Sequence, residues 1–96
     1  MLSAEVVGVS DGTWHVQIDF DEDETHTRAT IRAELRDAAV MTASGDAFRN
    51  PKDSNQPLIG EEIAAARGLI ALGTQLLQEA ASRIEQVTHH PAHVAP

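Results

Sequence analysis

Two stretches of strict alternation, set end to end, constrain this chain more than any other feature of it. From Thr13 to Phe20, Trp14, Val16, Ile18 and Phe20 fall on one side, while Thr13, His15, Gln17 and Asp19 fall on the other. A period of two describes a strand with one face in a core and one in water. Asp21-Glu22-Asp23-Glu24 interrupts it, and over residues 26–36 the alternation resumes. Here Thr27, Ala29, Ile31, Ala33 and Leu35 share one face, and His26, Arg28, Thr30, Arg32, Glu34 and Arg36 share the other. Two such strands joined by a short acidic tip make an antiparallel hairpin. A slip of one residue would send the arginines inward, so the pattern also sets the register.

The rest of the chain supplies a third strand and a helix. Residues 38–48 are less patterned, and Gly45 within them marks a bulge or a close backbone approach. Arg49 to Pro57 carries Asn50-Pro51, Asp53-Ser54-Asn55 and Pro57, which is loop chemistry. A helix is expected from near Gly60, with Glu61 and Glu62 suited to the positive end of its dipole. Ile59, Ile63, Ala66, Ile70, Gly73, Leu77 and Ala80 recur at alternating steps of four and three. Part of that stripe (Ile63, Ala66, Ile70 and Leu77) is expected to pack on the sheet. Ser82-Arg83-Ile84-Glu85 has the form of a capping box, which predicts a short terminal helix or a kink before Pro91.

The fold class is therefore α+β: a three-stranded antiparallel sheet, a long C-terminal helix and a short terminal helix. Residues 13–92 form one domain and 93–96 a tail. Residues 1–12 are an N-terminal extension. Val6, Val7 and Val9 followed by Asp11-Gly12 allow an extra strand, and a loose tail is the other reading.

Much of the apolar content is alanine, and the aromatics are only Trp14, Phe20 and Phe48. Alanine buries little area, so a lone chain has a thin core that a second copy would supplement. Leu69, Leu72 and Leu76 widen the helix stripe beyond what three strands need. They are the candidate dimer surface, with Gly68 and Gly73 allowing a second backbone close. There is no cysteine, hence no disulfide framework and no thiolate nucleophile. No targeting leader or membrane-spanning run is visible, so a cytoplasmic protein is expected.

The formal charge of −8 is uneven: residues 1–24 hold seven acids and no Lys or Arg. The acidity of the whole thus does not argue against polyanion binding by the remainder. The candidate for that role is the outer row Arg28, Arg32 and Arg36. Spaced by four along a strand, they stand about 13 Å apart, too far for one compact pocket but able to follow phosphates along a nucleic acid. A solvated face balanced by Glu34 and Asp19 is the plainer reading.

Catalytic and metal chemistry find little support. Asp19-x-Asp21-x-Asp23 opens like a calcium loop, but Glu24 and Thr30 stand where that loop needs glycine and a bidentate glutamate. His89, His90 and His93 are split by Pro91, so no helix fixes their geometry, and a frayed tail is expected. No serine lies in a strand–turn–helix elbow, and no glycine-rich phosphate loop follows a strand. No catalytic residue, metal site or cofactor is assigned, and the chain is read as non-enzymatic.

From Trp14 to about Ala92 a series of short stretches carries a family resemblance. They are the Trp14–Asp19 strand, Thr27-Arg28-Ala29, Gly45-Asp46-Ala47-Phe48-Arg49-Asn50-Pro51-Lys52-Asp53, Pro57-Leu58-Ile59-Gly60-Glu61-Glu62, Ala65-Ala66-Arg67 and Ile84-Glu85-Gln86-Val87-Thr88-His89-His90-Pro91. In this order they resemble a family of small actinobacterial proteins with a double-stranded-RNA-binding-domain-like fold and no assigned function. One member is a dormancy-induced protein proposed to resemble ribosome hibernation factors. The resemblance implies a sheet-plus-helix fold, a homodimer and a stress role; the alternative is a ribosome- or RNA-associated factor of the hibernation type using the Arg28, Arg32, Arg36 row, and neither a DNA nor a membrane partner is expected. It supplies no catalytic residues. Double-stranded-RNA readers grip phosphates with lysines at the start of the last helix, where this chain has Glu61 and Glu62.

Overall fold

The structure, a computed structural model, describes residues 12–96. The alternation sets its first half. Strands β1 (His15–Glu22), β2 (His26–Glu34) and β3 (Val40–Phe48) form an antiparallel sheet in the order β1-β2-β3, and α1 (Pro57–Thr88) follows. The expected extra strand at residues 4–9 lies outside the described residues.

The register matches the sequence pattern. Ile18 faces Ile31 and Phe20 faces Ala29 across the first pair, while Ile31 faces Ala43 and Ala29 faces Gly45 across the second. Thr27, Ala29, Ile31 and Ala33 are buried, whereas Arg28, Thr30 and Arg32 point to solvent. The hairpin tip is built by Asp23, whose Oδ1 accepts the backbone N–H groups of Thr25 (2.9 Å) and His26 (2.8 Å). The calcium-like triad is thus in part a turn device, since Asp and Asn side chains cap their own backbone two and three residues on.

The helix presents a different face from the one expected. Ala64, Gly68 and Leu72 are its buried residues, one turn apart each time, and Leu76 and Ala71 pack beside them. Ile63, Ala66 and Ile70 lie on the opposite side and are exposed; Ile70 is 69% accessible. The reason is size. The sheet face under α1 is made mostly of Ala29, Ala33, Ala43, Gly45 and Ala47, around one fully buried large side chain, Ile31. A stripe of small residues can settle closely on so flat a surface, and isoleucines would hold the helix away from it. A Cβ on Gly45 would overlap the Ala64 carbonyl oxygen and the Gly68 nitrogen, so backbone meets backbone there. Gly45 is therefore the close approach its position suggested, and no bulge interrupts the β2–β3 register.

Two further boundaries differ from the sequence reading. The helix starts at Pro57, whose fixed φ and missing N–H suit a first turn. It then runs unbroken through Ser82 to Thr88, so the short terminal helix is the end of α1. His89 closes it in the left-handed conformation (φ 61°), and its N–H reaches the Glu85 carbonyl. After it the chain folds back: the Ala92 N–H donates to Glu85 Oε2, and Ala92 and Val94 lie beside Leu77 and Ala81.

Candidate functional site

Each face of the sheet offers one candidate surface. The outer face is polar, and its register decides what the arginines can do. Arg28 stands opposite Asp21 on one side and Asp46 on the other, and Arg32 stands between Gln17 and Thr42. Arg28 Nε lies 2.9 Å from Asp46 Oδ1, and His26 Nε2 reaches the same oxygen at 2.7 Å. The His26 ring also stacks on Phe48, with centroids 4.5 Å apart and planes within 5°. Hydrogen bonds from Arg28 and then His26 hold the Asp46 carboxyl below the ordinary carboxylate range. Arg32 donates to Glu34 on its own strand, and this lowers Glu34 in turn. Arg36 lies beyond the end of β2, folded over Gly12. The Arg28, Arg32, Arg36 row is thus solvent-facing, and its first two members are each held by a carboxylate.

The inner face is apolar and only partly covered, because α1 lies over β3 and β2 rather than over β1. Trp14, Val16 and Phe20 are correctly oriented toward the core side, yet they remain exposed; Trp14 is 47% accessible and Val16 50%. Beside them runs the flank of the helix carrying Leu69 and Leu76. A cleft of about 400 Å³ opens between Trp14, Leu35 and Leu76, rimmed by Arg36 and Arg83.

The leucine trio proposed as a dimer surface divides here. Leu69 is exposed, Leu76 is partly buried against the core, and Leu72 is 5% accessible and belongs to the core itself. Leu72 is no surface anchor, because the small-residue stripe rotates it inward. Gly68 likewise serves the fold: a Cβ there would lie 2.7 Å from Ile31 Cγ1 and 3.3 Å from Gly45 N.

The far end of the molecule holds a second cleft, of about 250 Å³, which the sequence did not suggest. The hairpin tip, Phe48 and Ile59 line it, together with the loop at residues 53–56. Its polar groups are turned to structural work. The Arg49 guanidinium donates to the carbonyls of Asp53 (2.6 Å), Asn50 (3.2 Å) and Glu24, tying loop to hairpin. Nearby, the hydrogen bond that the Glu22 carboxyl donates to Glu61 holds it above its ordinary value and joins the end of β1 to the first part of α1. Among the described residues, no group of three or more His, Cys, Asp or Glu side chains is placed to hold a metal ion, and no helix is long and apolar enough to cross a membrane.

A three-stranded antiparallel sheet with one long helix across two of its strands defines the class as a small α+β protein with apolar surface to spare. The chain belongs to the Rv2632c-like family, whose model matches residues 12–93. The uncharacterized protein MT1780 of Mycobacterium tuberculosis (strain CDC 1551 / Oshkosh) is 42% identical over 81 residues, covering 84% of this chain and 85% of that one. The uncharacterized protein Rv2632c of M. tuberculosis (strain ATCC 25618 / H37Rv) is 34% identical over 91 residues, covering 95% and 94%. The crystal structure of Rv2632c superposes with a TM-score of 0.75 at 34% identity, covering 92% of this chain and all of that one. The family is thus one of small proteins whose function is not established.

Proposed function

We propose that this protein is a non-enzymatic cytoplasmic protein that acts by association, first with a second copy of itself, in a stress or dormancy setting. The observation that carries the reading is the apolar surface exposed among the described residues: Trp14, Val16 and Phe20 on the sheet, and Ile63 and Ile70 on the helix. Monomers seldom expose so much large apolar side chain in connected patches, and a two-fold partner is the commonest cover. The stress and dormancy setting comes from the family resemblance alone. Sedimentation equilibrium from 1 to 100 μM tests the association. Dimers in the tens of micromolar support it, and a monomer throughout overturns it.

A second reading is a ribosome- or RNA-associated factor of the hibernation type on a double-stranded-RNA-binding-like fold. The solvent-facing placement of Arg28 and Arg32 favours it. The neighbouring Asp46 and Glu34 weigh against it, because a phosphate would have to displace a carboxylate already in place. Co-sedimentation with ribosomes across a salt series decides. A phosphate contact weakens steeply with salt, whereas no co-sedimentation even at low salt removes the reading.

A further inference from the structure

The stripe that the sequence offered to the sheet faces away from it, and it has the pattern of a helix seam. Ile59, Ile63, Ala66, Ile70, Gly73, Leu77, Ala80 and Ile84 recur at steps of four and three, which is the heptad spacing. The bulky members Ile59, Ile63, Ile70 and Ile84 are all exposed. Between them come small residues: Ala66, Gly73 and Ala80. The terminal tail borders the stripe along Thr74, Gln78 and Ala81 and reaches one of its members, Leu77, which is half-buried. A Cβ on Gly73 would meet nothing within 4 Å, so the fold of one chain has no need of a glycine there. A glycine in the middle of a helix nonetheless costs about 1 kcal/mol against alanine.

We infer that this seam is the dimer interface, formed by α1 of two copies packed antiparallel about a two-fold axis between Ile70 and Gly73. The inference rests on the dimer reading above and names its surface. The order of residue sizes selects a second copy over any other helix. Turned end for end, the stripe complements itself: Ile63 meets the partner's Ala80, Ile70 meets the partner's Gly73, and Leu77 meets the partner's Ala66. Between the two ends each large side chain faces a small one, which lets the two helices approach at the near end of the usual 8–10 Å range. Ile59 closes each end against the partner's Ile84. The flanks agree. Glu62 comes beside the partner's Arg83, a side chain that within its own chain reaches Glu79 at 3.3 Å. Leu69 comes beside the partner's Leu76, which covers the leucine that the sheet leaves exposed. A parallel pairing loses this size complementarity, because it sets Ile70 against the partner's Ile70 and Gly73 against the partner's Gly73.

Single cysteines test this cleanly, since the chain has none of its own. Ile70→Cys mixed with Gly73→Cys should cross-link under mild oxidation at least ten times faster than either variant alone. Equal rates would overturn the antiparallel register. Sedimentation equilibrium on Ile70→Glu is the second arm; the residue is exposed, so the chain should keep its fold and circular dichroism. The dimer Kd should rise about thirty-fold or more, as for loss of an interface anchor. Glu62→Arg and Arg83→Glu should each weaken the dimer, and the double swap should restore it. A wild-type dimer that Ile70→Glu leaves intact sinks this interface while the dimer itself stands. A wild type monomeric at 100 μM sinks both, and the seam would then belong to the helix of another protein.

Discussion

Gly45 of β3 and Gly68 of α1 meet backbone to backbone, and a Cβ on Gly45 would overlap the Gly68 nitrogen. A methyl group on Gly45 strikes main-chain atoms, which cannot rotate away, so the whole helix would have to lift. Gly45→Ala is expected to cost about 3 kcal/mol, the upper end of ordinary overpacking. Gly68→Ala presses chiefly on the Ile31 side chain, which can shift, and should cost less. Urea denaturation of the two variants ranks them. Equal stability of Gly45→Ala and wild type would contradict the contact.

Gly73 is the internal control. With open space around it, Gly73→Ala should stabilise the dilute, monomeric chain by about 0.5–1 kcal/mol through helix propensity alone. Denaturation below the association range measures this, and a loss of stability there would mean that something in the chain already occupies the space.

Ile31 and Leu72 are the two large side chains at the centre, 0% and 5% accessible. Ile31→Ala and Leu72→Ala should each cost about 2–5 kcal/mol, since the alanines around them cannot move in to fill the cavity. Leu72→Glu should unfold the chain rather than yield a folded monomer. Circular dichroism of that variant tells the two outcomes apart.

The Glu22 carboxyl gives a pH dependence of known sign. The Glu22 pKa is raised in the folded chain, chiefly by the hydrogen bond to Glu61. Its contribution is therefore complete below the ordinary glutamate pKa and is lost as pH rises through the raised value. Glu22→Gln keeps a hydrogen-bonding partner without the charge, so it should be more stable than wild type at pH 7, with the gap closing by about pH 4. Asp46 has the opposite sign: its lowered pKa gives stability that is present near neutrality and lost as pH falls below the ordinary aspartate range. Asp46→Asn should therefore narrow the difference in stability between pH 6 and pH 3. Denaturant midpoints across that range check both.

His89 ends α1 in a conformation that favours glycine. His89→Gly should stabilise the chain by a few tenths to about 1 kcal/mol, read as a rise in urea midpoint.

The sheet was legible because a period of two admits only one partition of Thr13–Phe20 and residues 26–36 into faces, and Ile31 and Arg28 sit where it puts them. The helix was not. Residues 59–84 carry apolar residues on more than one face, and two stripes compete for the sheet. Counting hydrophobicity favours Ile63 and Ile70, but contact with an alanine and glycine surface favours Ala64 and Gly68, and size decides. The outward arginines and Glu34 beside Arg32 could be read from the strand; Asp46, the partner of Arg28, needed the register of β3, which Gly45 obscured. The Arg49 clamp left no sequence signal, because its partners are carbonyls of Glu24, Asn50 and Asp53.

The placement of α1 over β3 and β2 also divides the domain by strength. β2, β3 and the helix share Ala29, Ile31, Ala43, Ala47, Ala64 and Leu72, so they should open only together. Among the described residues, β1 is held mainly by its ladder to β2 and by one partly buried side chain, Ile18. A strand attached along one edge can peel from that edge one hydrogen bond at a time. Its amides, from His15 to Glu22, should exchange with solvent well before those of Ala29 to Ala33. The polypeptide thus has a rigid spine and a hinged outer leaf, and the leaf carries the only tryptophan, a built-in fluorescent reporter of its own release.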